Sequence, residues 1–209
     1  MGSKDNPLAS TELYDPWSNQ IEPGPSMNVA RTHHTATLIV AGRNSGRILI
    51  AGGDSTTDYH PLATTELFDP LTNRFLPGPN MNTVRESQTA TVLNAGPDAG
   101  KILIAGGSSD REGLASTELY DPQRNAFAPG PNMNYPRYGH TATVIGWGRS
   151  AGRILITGRN DYGSTIPSDL YDPATQQFVP AANSPLWRGG CDGTFAIQLP
   201  QPAPHNLHR

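Results

Sequence analysis

Acidic residues and arginines recur in this sequence at one fixed spacing. Glu12, Glu66, Glu118 and Asp169 are each followed, 19 residues later, by an arginine: Arg31, Arg85, Arg137 and Arg188. A carboxylate and a guanidinium can form two parallel hydrogen bonds, so such pairs are strongly directional. We predict that the acids hold the arginines as structural pairs, with Glu66–Arg85 and Glu118–Arg137 within salt-bridge distance. The alternative is a ring of arginines on one face that binds an acidic ligand.

Two other patterns could carry chemistry, and both have simpler explanations. Gly96 and Gly100, followed by Lys101, resemble a phosphate-binding loop, but three residues separate the glycines instead of four, and no Ser or Thr follows the lysine. The same glycine spacing at residues 42–46 and 148–152 predicts a repeated hairpin turn. Cys191 follows Arg188 by three residues, as His34, Gln88 and His140 follow their arginines. We therefore predict a structural position for this cysteine rather than a nucleophile.

Internal repeats organise the whole chain. The segment Ser10–Pro16 (STELYDP) returns at residues 64–70 and 116–122 and, in a weaker form, at 167–173, so that the central acids lie 54, 52 and 51 residues apart. Three further motifs keep the same order: ILIAGG at residues 48–53, PGPSMN at residues 23–28 and RTHHTATL at residues 31–38, each with later copies. The motifs are short, apolar or β-branched, and end at Gly or Pro, which is typical of strands. Four short strands per unit of about 50 residues predict a propeller blade.

The repeats resemble those of the kelch family. The resemblance rests on the paired glycines Gly52-Gly53 and Gly106-Gly107 and on two aromatic positions, which hold Tyr14, Phe68, Tyr120 and Tyr171, and Phe75, Phe127 and Phe178. This chain departs from the pattern at Ile21 and Arg159. The resemblance implies a β-propeller, in the style of bacterial kelch proteins and with a distant similarity to the central propeller of galactose oxidase. No matching set for the copper site of that enzyme can be assigned here, so we expect no metal site and no cofactor.

The repeat boundaries predict how the chain is divided. We expect a tail at residues 1–9, an all-β propeller region at 10–199 and a proline-rich tail at 200–209. The region holds a partial blade at 10–25, complete four-stranded blades at about 31–80, 85–132 and 137–182, and a terminal strand at 194–199. The terminal strands give no complete fourth blade, so we expect an open or incompletely closed arc. Its bare ends predict marginal stability or self-association of the isolated chain.

Composition narrows the possible partners. The net charge is −3 and the basic residues are scattered, which argues against nucleic acid as a partner. We expect no membrane partner, because no apolar run approaches 18 residues and no secretory leader is visible. The sequence predicts no particular cellular compartment. The single cysteine excludes an internal disulfide framework.

Loops predict where binding takes place. The connections between the second and third strands differ from unit to unit, and differences on a constant scaffold indicate specificity. Tyr59, His60, Arg111 and Tyr162 are the candidate contact residues there, together with the four arginines. We predict a non-catalytic kelch module that binds a protein or another polar or acidic ligand through one propeller face. The alternative is a fragment of a carbohydrate-active, galactose-oxidase-like enzyme whose catalytic residues lie elsewhere.

Overall fold

Regular structure in the described part of the chain is entirely β. The computed structural model describes residues 6–55, 59–158 and 166–181, and none of them lies in a helix. They form three four-stranded antiparallel sheets, a two-stranded hairpin ahead of them and one very short hairpin in a loop. The expectation of an all-β chain with three complete blades and a partial blade is confirmed.

Sixteen strands follow one another along the described residues. The N-terminal hairpin consists of β1 (Glu12–Asp15) and β2 (Gln20–Pro23). The first blade consists of β3 (Thr35–Leu38), β4 (Ile48–Ala51), β5 (Thr65–Asp69) and β6 (Arg74–Pro77). The second blade consists of β7 (Thr89–Val92), β8 (Ile102–Ala105), β11 (Thr117–Asp121) and β12 (Ala126–Pro129), with the loop hairpin β9 (Ser108–Ser109) and β10 (Glu112–Gly113) between β8 and β11. The third blade consists of β13 (Thr141–Val144), β14 (Ile154–Thr157), β15 (Asp169–Asp172) and β16 (Gln177–Pro180).

Strand order in each blade follows sequence order. In the second blade, Ile104 of β8 lies between Ala90 of β7 and Glu118 of β11. The first strands β3, β7 and β13 lie beside one another and form the inner side of the arc. Backbone hydrogen bonds also join the entrances to these strands, since Ser87 N donates to His33 O at 3.0 Å and Gly139 N donates to Ser87 O at 2.8 Å. The described sheets form an open arc, and the predicted strand at 194–199 lies outside the described residues.

Each blade packs against the next through its two faces. Ile102 and Ile104 of β8 face the first blade, whereas Leu103 and Ala105 face the third. All four residues are almost fully buried. A strand covered on both faces has no position for a polar residue, which explains the continuous ILIA runs of β4 and β8.

Paired glycines after β4 and β8 allow close approach between blades. Gly106 has φ +61° and Gly107 has φ +94°, a region that other residues rarely adopt. A Cβ atom on Gly106 would lie 2.5 Å from the Arg137 carbonyl oxygen of the third blade. The amide of Gly107 donates to that same oxygen at 2.8 Å. β4 and β8 end at these glycines, as predicted, because the next blade leaves no room for a Cβ atom there.

Side chains also join the blades by hydrogen bonds. The Gln88 side chain of the second blade donates to the Ala51 carbonyl of the first at 2.7 Å. At the equivalent position in the third blade, His140 Nε2 lies 3.0 Å from the Thr89 hydroxyl. Gln88 and His140 therefore have a structural role in the second and third blades; Cys191, predicted to occupy the next such position, lies outside the described residues.

The glycine-flanked segments 42–46 and 96–100 are the loops between the first two strands of a blade. Gly42 lies against the backbone of Pro122, and Gly96 lies against that of Pro173, each in the following blade. Asn44 also donates to the Tyr120 hydroxyl at 3.2 Å. These segments are therefore hairpin turns, as predicted, and they pack against the next blade.

Candidate functional site

The side chain of Arg85 is held entirely within the second blade. Its Nη2 donates to Glu118 Oε1 at 2.9 Å, and its Nη1 donates to the Gly106 carbonyl at 2.7 Å and to the Ser116 carbonyl at 3.1 Å. The other oxygen of Glu118 accepts hydrogen bonds from the backbone and side-chain amides of Asn82, at 2.7 and 2.8 Å. This acid–arginine clamp ties the segment that enters β7 to the ends of β8 and β11.

The same clamp occurs in the other two blades. Arg31 Nη2 lies 3.0 Å from Glu66 Oε1, and Asn28 donates to the second oxygen of Glu66. Arg137 Nη2 lies 3.0 Å from Asp169 Oδ2, and the side chain of Asn134 donates to Asp169 Oδ1 at 2.6 Å. The repeated segment from Met-Asn to Arg in the sequence is therefore one structural device.

The predicted partners Glu66–Arg85 and Glu118–Arg137 are wrong. Each arginine binds the acid that follows it by 32 to 35 residues, not the acid that precedes it by 19. Arg31, Arg85 and Arg137 each have a repeat acid on both sides at a similar distance in every unit, so spacing alone cannot select between the two. The structure selects the acid of the same sheet, because the arginine enters the first strand of the blade whose third strand carries that acid.

The three clamp arginines are buried inside the blades. The side chains of Arg31, Arg85 and Arg137 have no exposed surface. Burial lowers the pKa of all three, and the partner carboxylate raises it again. Their geometry favours the structural role over the ligand-binding ring. Arg188 lies outside the described residues, and Glu12 is exposed and forms no ion pair with any described residue.

Loop residues of the first and second blades meet on one face of the arc. The Tyr59 hydroxyl shares a hydrogen bond with the Ser108 hydroxyl of the second blade. Arg111, at the tip of the β9–β10 hairpin, lies over the Tyr59 ring, 5.6 Å from its centroid. The His60 amide donates to Asp54 at 2.9 Å, which holds this loop together. The structure thus brings Tyr59 and Arg111 together beside His60, while Tyr162 lies outside the described residues.

Sequence reasoning missed two residues of this cluster, His33 and Glu86. His33 Nδ1 lies 3.2 Å from Glu86 Oε2, so the pair crosses from the first blade to the second. Burial raises the pKa of Glu86; His33 lowers it, and the nearby Asp54 carboxylate raises it. The His33 ring is 54% exposed, whereas Glu86 is largely covered.

A signal for these residues is present in the repeats. The two positions after the clamp arginine read Thr32-His33, Glu86-Ser87 and Tyr138-Gly139. All other positions of that motif are similar or serve the contacts between blades. His33 and Glu86 therefore occupy the positions of this motif at which the repeats differ. We name His33, Tyr59, Glu86, Ser108 and Arg111 the loop-face cluster.

Backbone strain accompanies the cluster. Tyr59 and Arg111 have φ values of +69° and +68°, which bulky side chains seldom adopt. Such strain persists only where surrounding contacts fix it, and it is common at functional sites. Here the contacts that fix it are those of Tyr59 with Ser108 and Arg111.

The blade pattern also matches known proteins. The Kelch motif family matches residues 95–134, which run from the loop before β8 through β12 to Asn134. The chain carries kelch repeats. Its clamps, paired glycines and aromatic positions are therefore the parts of a kelch blade as this sequence builds it.

Several animal proteins are similar to the kelch-repeat chain. Human Kelch-like protein 23 is 28% identical over 148 residues, which cover 69% of this chain and 24% of the relative. Spermatocyte protein spe-26 of Caenorhabditis elegans is 31% identical over 120 residues, 56% of this chain and 19% of the relative. Kelch repeat-containing protein kel-10 of the same species is 26% identical over 167 residues, which cover 78% of this chain and 27% of the relative. The chain spans about a quarter of the length of these relatives.

These matches do not support every part of the earlier resemblance. The relatives are animal proteins, so a bacterial style has no support, and neither has a likeness to galactose oxidase. Among the described residues, no helix is long and apolar enough to cross a membrane.

Proposed function

We propose that this kelch-repeat chain is a protein-interaction module that binds its partner through the loop-face cluster. The likeness to Kelch-like proteins supports a protein-interaction role in general. The choice of face rests on one observation: residues at positions where the repeats differ meet across two blades on one face of the arc. His33 pairs with Glu86, and Tyr59 contacts both Ser108 and Arg111, across the first and second blades.

In the loop-face cluster, buried groups hold exposed side chains in position. Glu86 and Ser108 are largely buried and bind His33 and Tyr59, so that the positions of these two side chains are fixed before a partner arrives. Preorganisation of this kind lowers the entropy lost on binding. His33 and Arg111 are exposed and present hydrogen-bond donors to the partner.

Exposed donors suit a partner with acidic or hydrogen-bonding side chains. The arginines of the clamps cannot serve this purpose without opening a blade, because their side chains are fully buried and their terminal nitrogens already donate to groups of the same blade. Arg111 therefore replaces them as the candidate contact for a carboxylate. His60 is exposed beside it and extends the same surface.

Peptide selection tests the proposal without a known partner. Phage-displayed peptides are selected on the immobilised 209-residue chain and then measured against Arg111→Ala, His33→Ala and Arg124→Ala. Arg124 is also an exposed arginine and lies at the opposite end of the second blade, on the β11–β12 turn. We expect the first two variants to lose at least tenfold in affinity and the Arg124 variant to bind as the unmodified chain does. Equal binding to all three variants would contradict the loop face as the binding site.

A further inference from the structure

A second surface lies on the face of the arc opposite to the loop-face cluster. It is formed by the turns between the outer two strands of each sheet and by the loops between the inner two strands. The turns are residues 15–20, 69–74, 121–126 and 172–177, and the loops are residues 39–47, 93–101 and 145–153. Turns and loops of consecutive blades touch, since Gly42 packs against the backbone of Pro122 and Gly96 against that of Pro173. We name this continuous surface the turn face.

The N-terminal hairpin carries its turn on the same face. The Leu8 carbonyl accepts a hydrogen bond from Arg31 N at 3.1 Å. In the next unit, the Leu62 carbonyl accepts one from Arg85 N at 3.1 Å. The hairpin strands also keep the register of β5 and β6. The hairpin turn is therefore placed beside the first blade as the turn of the first blade is placed beside the second.

Large apolar side chains protrude from the turn face. Trp17 and Leu71 occupy the same position of their turns, directly after the Asp-Pro pair, and are 94% and 95% exposed. Trp147, in the β13–β14 loop, is 44% exposed. Small or polar residues hold the equivalent positions of the other described units: Gln123 and Ala174 in the turns, and Ala41 and Ala95 in the loops. The apolar residues are therefore additions to the common blade and are not needed for its packing.

The exposure of the turn position does not come from an end of the arc. Gly42 of the first blade lies against Pro122, and yet Gln123 beside it is exposed. In the third blade Pro173 is covered in the same way, and Ala174 is exposed. A residue at this position therefore faces solvent even where the neighbouring blade is in place.

The acids of the turn face are mostly held inside it. Its segments contain seven basic and five acidic residues, although the chain has a net charge of −3. Asp15 is the exposed acid, and the side chains of the other four are largely covered. Three of these four pair with a cation of their own blade: Asp69 with Arg47 at 3.0 Å, Asp98 with Lys101 at 2.6 Å and Asp172 with Arg153 at 2.8 Å.

Exposed arginines carry the charge that remains. They are Arg43, Arg74, Arg124 and Arg149. Of these four, Arg124 alone forms an ion pair with a described acid, Asp121, at 3.4 Å. The turn face therefore presents positive charge to its surroundings together with protruding apolar side chains.

This combination fits the surface of a bilayer. Tryptophan rings are amphipathic and lie at the level of the lipid headgroups, and basic residues are attracted by anionic lipids. Trp17, Leu71 and Trp147 belong to the hairpin, the first blade and the third blade. A partner that contacts all three must be flat and extend across the arc, which favours a bilayer over a peptide.

We propose that the turn face binds the surface of an anionic lipid bilayer. Trp17, Leu71 and Trp147 insert at the level of the headgroups, and the exposed arginines contact the lipid phosphates. This departs from the expectation of no membrane partner, which rested on the lack of a long apolar run; a segment that spans a bilayer needs such a run, but a protein bound to its surface does not. The loop-face cluster lies on the opposite face and stays free for a protein partner, so this proposal is independent of the proposed function.

Co-sedimentation of the 209-residue chain with vesicles tests the proposal. We expect binding to vesicles in which about a third of the phosphatidylcholine is replaced by phosphatidylserine, and none to phosphatidylcholine alone. Added salt should weaken binding, because it screens exposed charges. Arg74→Ala and Arg149→Ala should each weaken binding about fivefold, and Trp17→Ala about tenfold. Lipids with brominated acyl chains should quench the tryptophan fluorescence of the bound chain, and less so in Trp17→Ala.

Matched variants separate lipid contact from a loss of folding. Gln123→Trp adds an anchor at an exposed turn position and should strengthen binding about tenfold. Trp17→Ala should leave the urea midpoint unchanged, because the side chain contacts little of the protein. Arg111→Ala and His33→Ala, on the loop face, should bind vesicles as the unmodified chain does.

Four outcomes would overturn the proposal. The first is no binding to anionic vesicles, and the second is binding that Trp17→Ala and Arg149→Ala leave unchanged. The third is equally tight binding to polyglutamate, which would identify an acidic polypeptide as the partner of this face. The last is a dimer in sedimentation that Trp17→Ala dissociates, which would identify a second copy of the chain as the partner. Loss of vesicle binding with peptide binding retained at the loop face would leave the proposed function intact.

Discussion

Arg85 Nη2 lies 2.9 Å from Glu118 Oε1, and both side chains are sealed inside the second blade. The pair is embedded in hydrogen bonds from Asn82 and to the Gly106 carbonyl. Removing one partner leaves a buried charge without compensation, which is more costly than removing both. The clamp is therefore a determinant of stability, and it links sequence positions 33 residues apart.

Glu118→Ala should strongly destabilise the chain. We expect the free energy of unfolding to fall by about 3–5 kcal/mol, because Arg85 then stays buried and unpaired. Urea denaturation measures the change, with the exposed Glu112→Ala in the β9–β10 hairpin as a control that should cost under about 0.5 kcal/mol. A double-mutant cycle should show coupling of Arg85 with Glu118 and none with Glu66. Coupling with Glu66 would contradict the pairing within one blade.

Acid should destabilise the fold through His140. Burial lowers the pKa of His140 from 6.5 to about 3, and its Nδ1 has no hydrogen-bond partner in the described structure. The folded state therefore keeps the ring neutral, while the unfolded chain takes up a proton below about pH 6.5. Stability is unaffected by this group above pH 6.5 and falls by about 1.4 kcal/mol per pH unit between 6.5 and 3. The second blade carries Gln88 at the same position, so His140→Gln should remove this part of the pH dependence, measured as the difference between the two denaturation curves across pH.

Two glycines with positive φ should respond differently to alanine. Gly106→Ala meets the Arg137 carbonyl at 2.5 Å, whereas Gly46→Ala, at φ +88°, has no atom within 4 Å of the new Cβ. Both substitutions strain the backbone, by about 1–2 kcal/mol. Only Gly106→Ala must also push two blades apart, so it should lower the melting temperature substantially more. Equal losses would show that the contact between the blades relaxes at no cost.

Tyr59 and Ser108 should be energetically coupled. Tyr59→Phe and Ser108→Ala each remove one partner of the hydrogen bond that crosses the first two blades. Each should lower the free energy of local opening of this loop by about 1 kcal/mol, and the double variant should lower it little more than either single one. Hydrogen exchange near residue 59 should increase while the urea midpoint changes little, because the bond fixes a loop and not a sheet. Additive effects would contradict a direct bond.

Much of the fold follows from the sequence alone. Four motifs in one order at one period specify the strands of each blade, and ILIAGG specifies both the buried second strand and the glycines that end it. These features are local. Alternation of apolar and polar residues, β-branching and turn residues favour a strand or a turn through contacts with neighbours in the chain. The Asp-Pro turns are an example, since Asp69 and Asp121 each accept a hydrogen bond from an amide two residues later.

The tertiary structure decided which residues become partners. Periodicity places an acid on both sides of every arginine, and only the strand order shows that Arg85 shares a sheet with Glu118 and not with Glu66. The loop-face cluster needed the structure for the same reason, because His33 and Glu86 lie 53 positions apart and meet only where two blades pack. A sequence repeat shows which residues all units share. Contacts between units depend on how the sheets are arranged in space, and one-dimensional spacing does not contain that arrangement.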